Sequence, residues 1–165
     1  MTDNSAKLAS DITEGFSCDF SPVTPRDNTE NKSAIYRFQE NFTWEGVDSC
    51  AYKPEGSDFA HIIRNVIIGE HGESCLFHLR YFEVAPGGYS SFEQHQHEHV
   101  VICLRGKGSA IVGENIHELN VFDTLYIAPN EPHQLINASD SPFGFFCIVN
   151  SERDRPISLK KREIK

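Results

Sequence analysis

The chain contains a single methionine and a single tryptophan in 165 residues, so neither can dominate its packing. It has no Cys-x-x-Cys pair. Its five cysteines, Cys18, Cys50, Cys75, Cys103 and Cys147, are odd in number and widely spaced. That usage argues against a disulfide framework and for free thiols in a reducing compartment, so a cytoplasmic protein is expected. No apolar run approaches the roughly 20 residues of a membrane helix. The polar stretch 1–31 lacks the apolar centre of a signal peptide, so none is expected. Positive charge is also scarce: 15 Lys and Arg face 24 Asp and Glu, for a net charge of -9. An acidic chain repels phosphate backbones and anionic headgroups, which leaves no nucleic acid and no membrane among the expected partners. The local exception is a basic segment, 153–165, holding Lys160, Lys161 and Arg162. It reads as a solvated, frayed tail.

Aromatic residues are plentiful, with twelve Phe and five Tyr, and they suit half-buried pleated surfaces. Residues 1–31 are rich in Ser, Thr, Asp, Asn and Pro and read as a flexible or irregular arm. The Ile35-Tyr36 and Phe42-Thr43-Trp44 pieces suit short strands or a cover over one end of the domain. From Phe59 onward, short β-type runs alternate with turn residues, the rhythm of an all-β sandwich or barrel. Strands are expected at Phe59 to Ile68, Cys75 to Val84 (stopped by Pro86-Gly87-Gly88), and Tyr89 to His95. Others follow at Val100 to Leu104, Ala110 to Val112, Ile116 to Val121, Thr124 to Ile127, His133 to Asn137 and Phe143 to Val149. No sustained 3.6-residue apolar period occurs between Ser57 and Asn150, so long helices are not expected there. One domain over 32–152 accommodates all of this.

Chemistry concentrates in Glu93-Gln94-His95-Gln96-His97-Glu98-His99. A strand sends alternate side chains to one face. Glu93 and His95 on one arm of a hairpin, and His99 opening the other, can converge on one point. His133, behind the Pro-bounded loop Pro129-Asn130-Glu131-Pro132, can close the site from across a barrel. Imidazole and carboxylate ligands of this kind suit Mn, Fe, Co, Ni, Cu or Zn. His61, His71, His78 and His117 read as ordinary surface or half-buried residues.

The spacing of these residues resembles the cupin superfamily. In its first motif a Gly is followed by five residues, His-x-His, three or four residues, Glu, six residues and Gly. Here Gly87 leads through five residues to Glu93-Gln94-His95, then His99, then Gly106. Glu93 stands in place of the first His, and His99 in place of the Glu. In the second motif, Phe122-Asp123 stands at the usual Gly-Asp and Ala128-Pro129-Asn130 at Pro-x-Gly, with His133 and Asn137 in their expected places. The resemblance implies an antiparallel double-stranded β-helix, a jelly-roll barrel, with one divalent metal held by Glu93, His95, His99 and His133. It is similar to the all-histidine manganese cupins, which puts Mn or Fe first and leaves Zn or Ni open. Glu93 either ligates or serves as a catalytic base. A second register pairs His95 with His97; in the first, His97 lies in the hairpin turn, as a base behind the metal or simply exposed.

What the resemblance implies for function is a metal-dependent enzyme on a small organic molecule, such as a dioxygenase, isomerase or decarboxylase. The competing reading is a non-catalytic metal- or metabolite-binding sensor. Val101, Cys103, Tyr89, Ser91, Tyr126 and Phe145 are candidate pocket-lining residues, with plain packing as the alternative. Arg80 anchors a substrate carboxylate if its strand face turns inward. Cys103 and Cys147 read as inert core thiols, and Asn137 as a brace for a loop or a ligand histidine. Small cupins are commonly homodimers, with the arm before Asn31 and the Phe143 to Phe146 strand as the expected seam.

Overall fold

The structure is a computed structural model that describes residues 33–53 and 58–159; the expected arm 1–31 and the basic cluster at 160–162 lie outside the described residues. The described residues form thirteen strands: β1 (Phe38–Gln39), β2 (Thr43–Trp44), β3 (Ser49–Ala51), β4 (Ala60–Ile68), β5 (Phe77–Tyr89), β6 (Glu93–Gln94), β7 (His99–Arg105), β8 (Lys107–Val112), β9 (Asn115–Asn120), β10 (Thr124–Ile127), β11 (His133–Ile136), β12 (Phe143–Asn150) and β13 (Ile157–Ser158). The only helical element among the described residues is a 3-10 turn at Glu40–Phe42. No helix among them is long and apolar enough to cross a membrane.

Eleven of the strands form one antiparallel sheet curled into a nearly closed barrel. One wall runs β3-β4-β5-β12-β7-β10, and the other runs β9-β8-β11-β6-β13. Strand β5 joins them. Its first part pairs with β4 and β12, and its last residue, Tyr89, pairs with Ile136 of β11. The expected stop at Pro86-Gly87-Gly88 does not occur. The chain bulges outward there instead, and β4 shifts register between Ala60 and Ile62. A proline is tolerated because it is exposed at a bulge, where no ladder bond is lost. The Gly87 N–H still finds the Asn137 carbonyl at 3.0 Å.

The alternation seen in the sequence sorts the side chains. Phe82, Val84, Val101, Cys103, Ile127, Leu135, Phe143 and Phe145 fill the barrel interior. Each large apolar side chain buried this way contributes about 1.5–3 kcal/mol relative to leaving it exposed. A second cluster lies outside the barrel wall, where Trp44 covers Ile67 and Tyr81. Trp44 sits 5.1 Å from Tyr81 and 5.8 Å from Phe146, centroid to centroid. The Phe42-Thr43-Trp44 piece does form a short strand, one of its two expected roles, but the β1-β2 hairpin packs on a sheet face rather than over an end of the barrel. It also covers part of the strand expected as a dimer seam, Phe143 to Phe146. Phe143 and Phe145 point into the core, and Phe146 packs beneath Trp44.

The motif positions that usually hold glycine explain themselves in backbone angles. Gly106 has φ +64°, and a Cβ there would lie 2.2 Å from the Pro142 carbonyl oxygen. Phe122 and Asn130, standing where glycine is usual, have φ +74° and +61°. The left-handed turn is retained although the glycine is not. Asn tolerates this region and Phe does so with strain.

Candidate metal centre

The site is assembled at one end of the barrel by strand register. Glu93 of β6 lies directly opposite His133 of β11. His95 follows β6 and is held by its carbonyl, which accepts the Asn130 N–H at 2.7 Å. His99 begins β7, opposite Ile127. All four expected residues are buried. Their donor atoms form overlapping groups rather than one set. Glu93, His95 and His133 lie within mutual reach of one ion, and so do His95, His97 and His99. His95 belongs to both.

His97 is therefore not an exposed turn residue. It is 6% exposed and stacks on His95 with ring centroids 3.7 Å apart. Its Nδ1 lies 2.7 Å from Asp154 Oδ1, and the same carboxylate accepts the Gln96 and His97 N–H groups at 2.8 and 3.2 Å. Sequence reading missed Asp154 because it lies 57 residues beyond His97, in the segment taken for a frayed tail. The described part of that segment, up to Leu159, returns to the barrel: β13 pairs with β6, and the Leu159 N–H meets the Phe92 carbonyl at 2.8 Å. No local pattern marks Asp154; only its position after the last long strand hints at a return to the barrel mouth.

Hydrogen bonding settles the ring tautomers. A carbonyl or carboxylate oxygen only accepts, so the nitrogen facing it carries the proton. His95 Nδ1 faces the His97 carbonyl at 2.7 Å, and His133 Nδ1 faces the Glu131 carbonyl at 2.8 Å. With His97 Nδ1 on Asp154, three rings have Nδ1 committed, and each neutral ring keeps its lone pair on Nε2. The Nε2 atoms of His95 and His99 are buried and make no hydrogen bond among the described residues. Burial also keeps the rings neutral. His95 is pushed down to about 4, first by burial and then by its neighbours His97 and His133. His99 lies well below its ordinary value, by burial and then by the charge of Arg80. Burial lowers His133 and His97 too, and in His97 it outweighs the opposing pull of Asp154. Buried neutral imidazoles with unpartnered Nε2 atoms and a carboxylate opposite are the donor set that a divalent cation needs.

The surroundings correct and complete the sequence reading. Glu93 is tied to Lys53 Nζ at 2.9 Å and lies 3.4 Å from the Tyr52 hydroxyl. Lys53 Nζ also reaches Ser91 Oγ at 2.8 Å. Neither Tyr52 nor Lys53 was legible as a site residue, since both precede the motif by some forty positions. The Arg80 face of β5 turns inward, and Arg80 lines the cavity beside the histidines. Cys147 lines it as well: its Sγ accepts from Arg80 Nη2 at 3.3 Å and lies 3.6 Å from His99 Nδ1. It faces the cavity while belonging to the same buried core cluster as Cys103. Val101 and Phe145 line the cavity; Tyr126 is exposed. Asn137 braces the loop, donating to the Val84 and Ser141 carbonyls and accepting from Ser139, and touches no histidine.

A protein-family model for the cupin domain matches residues 80–149. The chain is 43% identical over 120 residues to a 1-methylthio-D-xylulose 5-phosphate methylsulfurylase from Rhodospirillum rubrum, covering 72% of this chain and 76% of that one. A crystal structure of a cupin-2 domain from the same organism superposes with a TM-score of 0.68 at 38% identity, over 77% of this chain and 84% of that one. A cupin 2 conserved barrel protein from Rhodopseudomonas palustris gives 0.70 at 33% identity, over 77% and 87%.

Proposed function

The chain belongs to the cupin family, and from that premise we propose that it is a metal-dependent enzyme acting on a small phosphorylated ketose. The observation that carries the reading is the pair of buried, unpartnered Nε2 atoms on His95 and His99. Together with His133 and Glu93 they would hold one divalent cation, Mn or Fe by preference. His97, pinned by Asp154, stands beside the set. When bound, the cation supplies Lewis acidity that polarises a carbonyl oxygen. The chain's own groups do the rest. The inward wall of Phe82, Val101, Leu135 and Phe145 excludes water from the reacting atoms. The Glu93 carboxylate, held by Lys53 and Tyr52, ligates or takes a proton at Oε1.

The resemblance to a methylsulfurylase supports a ketose 5-phosphate with a methylthio group at C1 as the substrate to try first. Cys147 adds a soft nucleophile to the same cavity, between His99 and Arg80.

The test is to incubate metal-loaded protein with 1-methylthio-D-xylulose 5-phosphate and a small thiol, following the S-methyl proton resonance. Loss of that resonance is expected, and the chelator-treated protein and His133→Ala should lack the activity. Cys147→Ala should keep the metal and lower turnover. Metal-loaded protein that binds the sugar phosphate without converting it would point to a non-catalytic binding module.

A further inference from the structure

The chain is acidic overall, with a net charge of -9, yet one side of its cavity is basic. Arg80 is buried on the inward face of β5, its guanidinium 5.1 Å above the Phe82 ring and its Nη2 on Cys147 Sγ. Arg153 reaches the same region from the C-terminal segment. Its Nη1 donates to His78 Nδ1 and to the Asn150 carbonyl, each at 3.3 Å. His78 lies two residues before Arg80 on the same inward face of β5, so two elements far apart in sequence bring two guanidinium groups to one wall. Both line the cavity next to His97 and His99, and both exert a positive field on the His97 ring. Among the described residues lining the cavity the carboxylate is Glu93, which is paired with Lys53.

We propose that Arg80 and Arg153 form an anion subsite that takes the phosphate of a phosphomonoester whose carbonyl end lies against the histidines. The proposal rests on the enzymatic reading above and assigns it a second anchor point. Guanidinium forks match phosphate oxygens in pairs, and two forks from separate elements suit a dianion better than a single carboxylate. A wall that is largely apolar strengthens the attraction, because water screens it less. The subsite also fixes direction: a substrate held by its phosphate on the Arg80 side presents its other end to the metal ligands.

The experiment measures inorganic phosphate binding by calorimetry, with acetate as a comparison and with metal content determined on every sample. The full-length wild type should bind phosphate saturably and acetate far more weakly. Arg153→Gln, at a half-buried position that leaves the barrel core untouched, and Arg80→Lys should each weaken phosphate by about tenfold or more while metal content holds. Unchanged phosphate affinity in both variants would overturn the proposal. So would binding that vanishes in chelator-treated protein but persists in both arginine variants, since the phosphate would then sit on the metal. Loss of phosphate binding in the arginine variants of a protein that holds no metal would sink the metal-enzyme reading and keep the anion subsite.

Discussion

Asp154 receives the Nδ1 proton of His97 across 2.7 Å, and so ties the C-terminal segment to the hairpin that carries the histidines. The carboxylate is held down at about 2. Burial opposes that shift but is outweighed by the Gln96 amide and the His97 ring. Through these bonds His97 is fixed in tautomer and orientation without itself being needed to complete the Glu93, His95, His133 group.

Asp154→Ala is therefore expected to free the His97 ring and lower turnover, with metal content unchanged. Stability should fall by about 1–2 kcal/mol for the lost hydrogen bonds. Elemental analysis beside a denaturation curve checks this; loss of the metal would instead make His97 a ligand.

Chelation of metal-loaded protein should destabilise the whole barrel, since a cation held by the proposed ligands would bind only the folded arrangement. At a free metal concentration a hundred times Kd the linkage contributes about 2.7 kcal/mol. Thermal unfolding with and without chelator is expected to differ for the wild type and to coincide for His95→Ala. An equal chelator effect on both proteins would count against ligation by His95.

Phe122 occupies a left-handed turn position while remaining 78% exposed, so it contributes strain and little burial. Phe122→Gly should relieve about 1–2 kcal/mol of backbone strain, set against about 0.5–1 kcal/mol of added chain entropy in the unfolded state. A net rise of about 1–2 °C in Tm is expected. A fall in Tm would mean that the ring packs more than its exposure indicates.

Glu73 accepts hydrogen bonds from the Tyr36 hydroxyl and from the Gly69 and His71 N–H groups. Burial raises its carboxyl, but these bonds prevail and hold it below the ordinary value. A folded-state value below the unfolded one, about 4.3, means stability that is present above that pH and lost as pH falls through the folded value. Glu73→Gln should thus cost about 1 kcal/mol at pH 7, and the gap to wild type should close toward pH 3. Urea titrations at pH 7, 5 and 3 measure it; a gap of constant size would contradict the assignment.

The sequence by itself determined the barrel, because a period of two between turn residues leaves few ways to bury so many aromatics. It also pointed to the segment where the candidate donors lie, since Glu93, His95, His99 and His133 sit at spacings that suit a hairpin and a facing strand; the structure groups Glu93 with His95 and His133, and His99 with His95 and His97. Only the tertiary structure decided the rest. It turned Arg80 and Cys147 inward, seated Arg153 and Asp154 at the mouth, buried His97, and ran β5 through Pro86. Each of these depends on contacts between segments 40 to 75 residues apart, such as Lys53 with Glu93 and Arg153 with His78. Local alternation says that a strand has two faces; which face meets the cavity is chosen by the chain that packs against it.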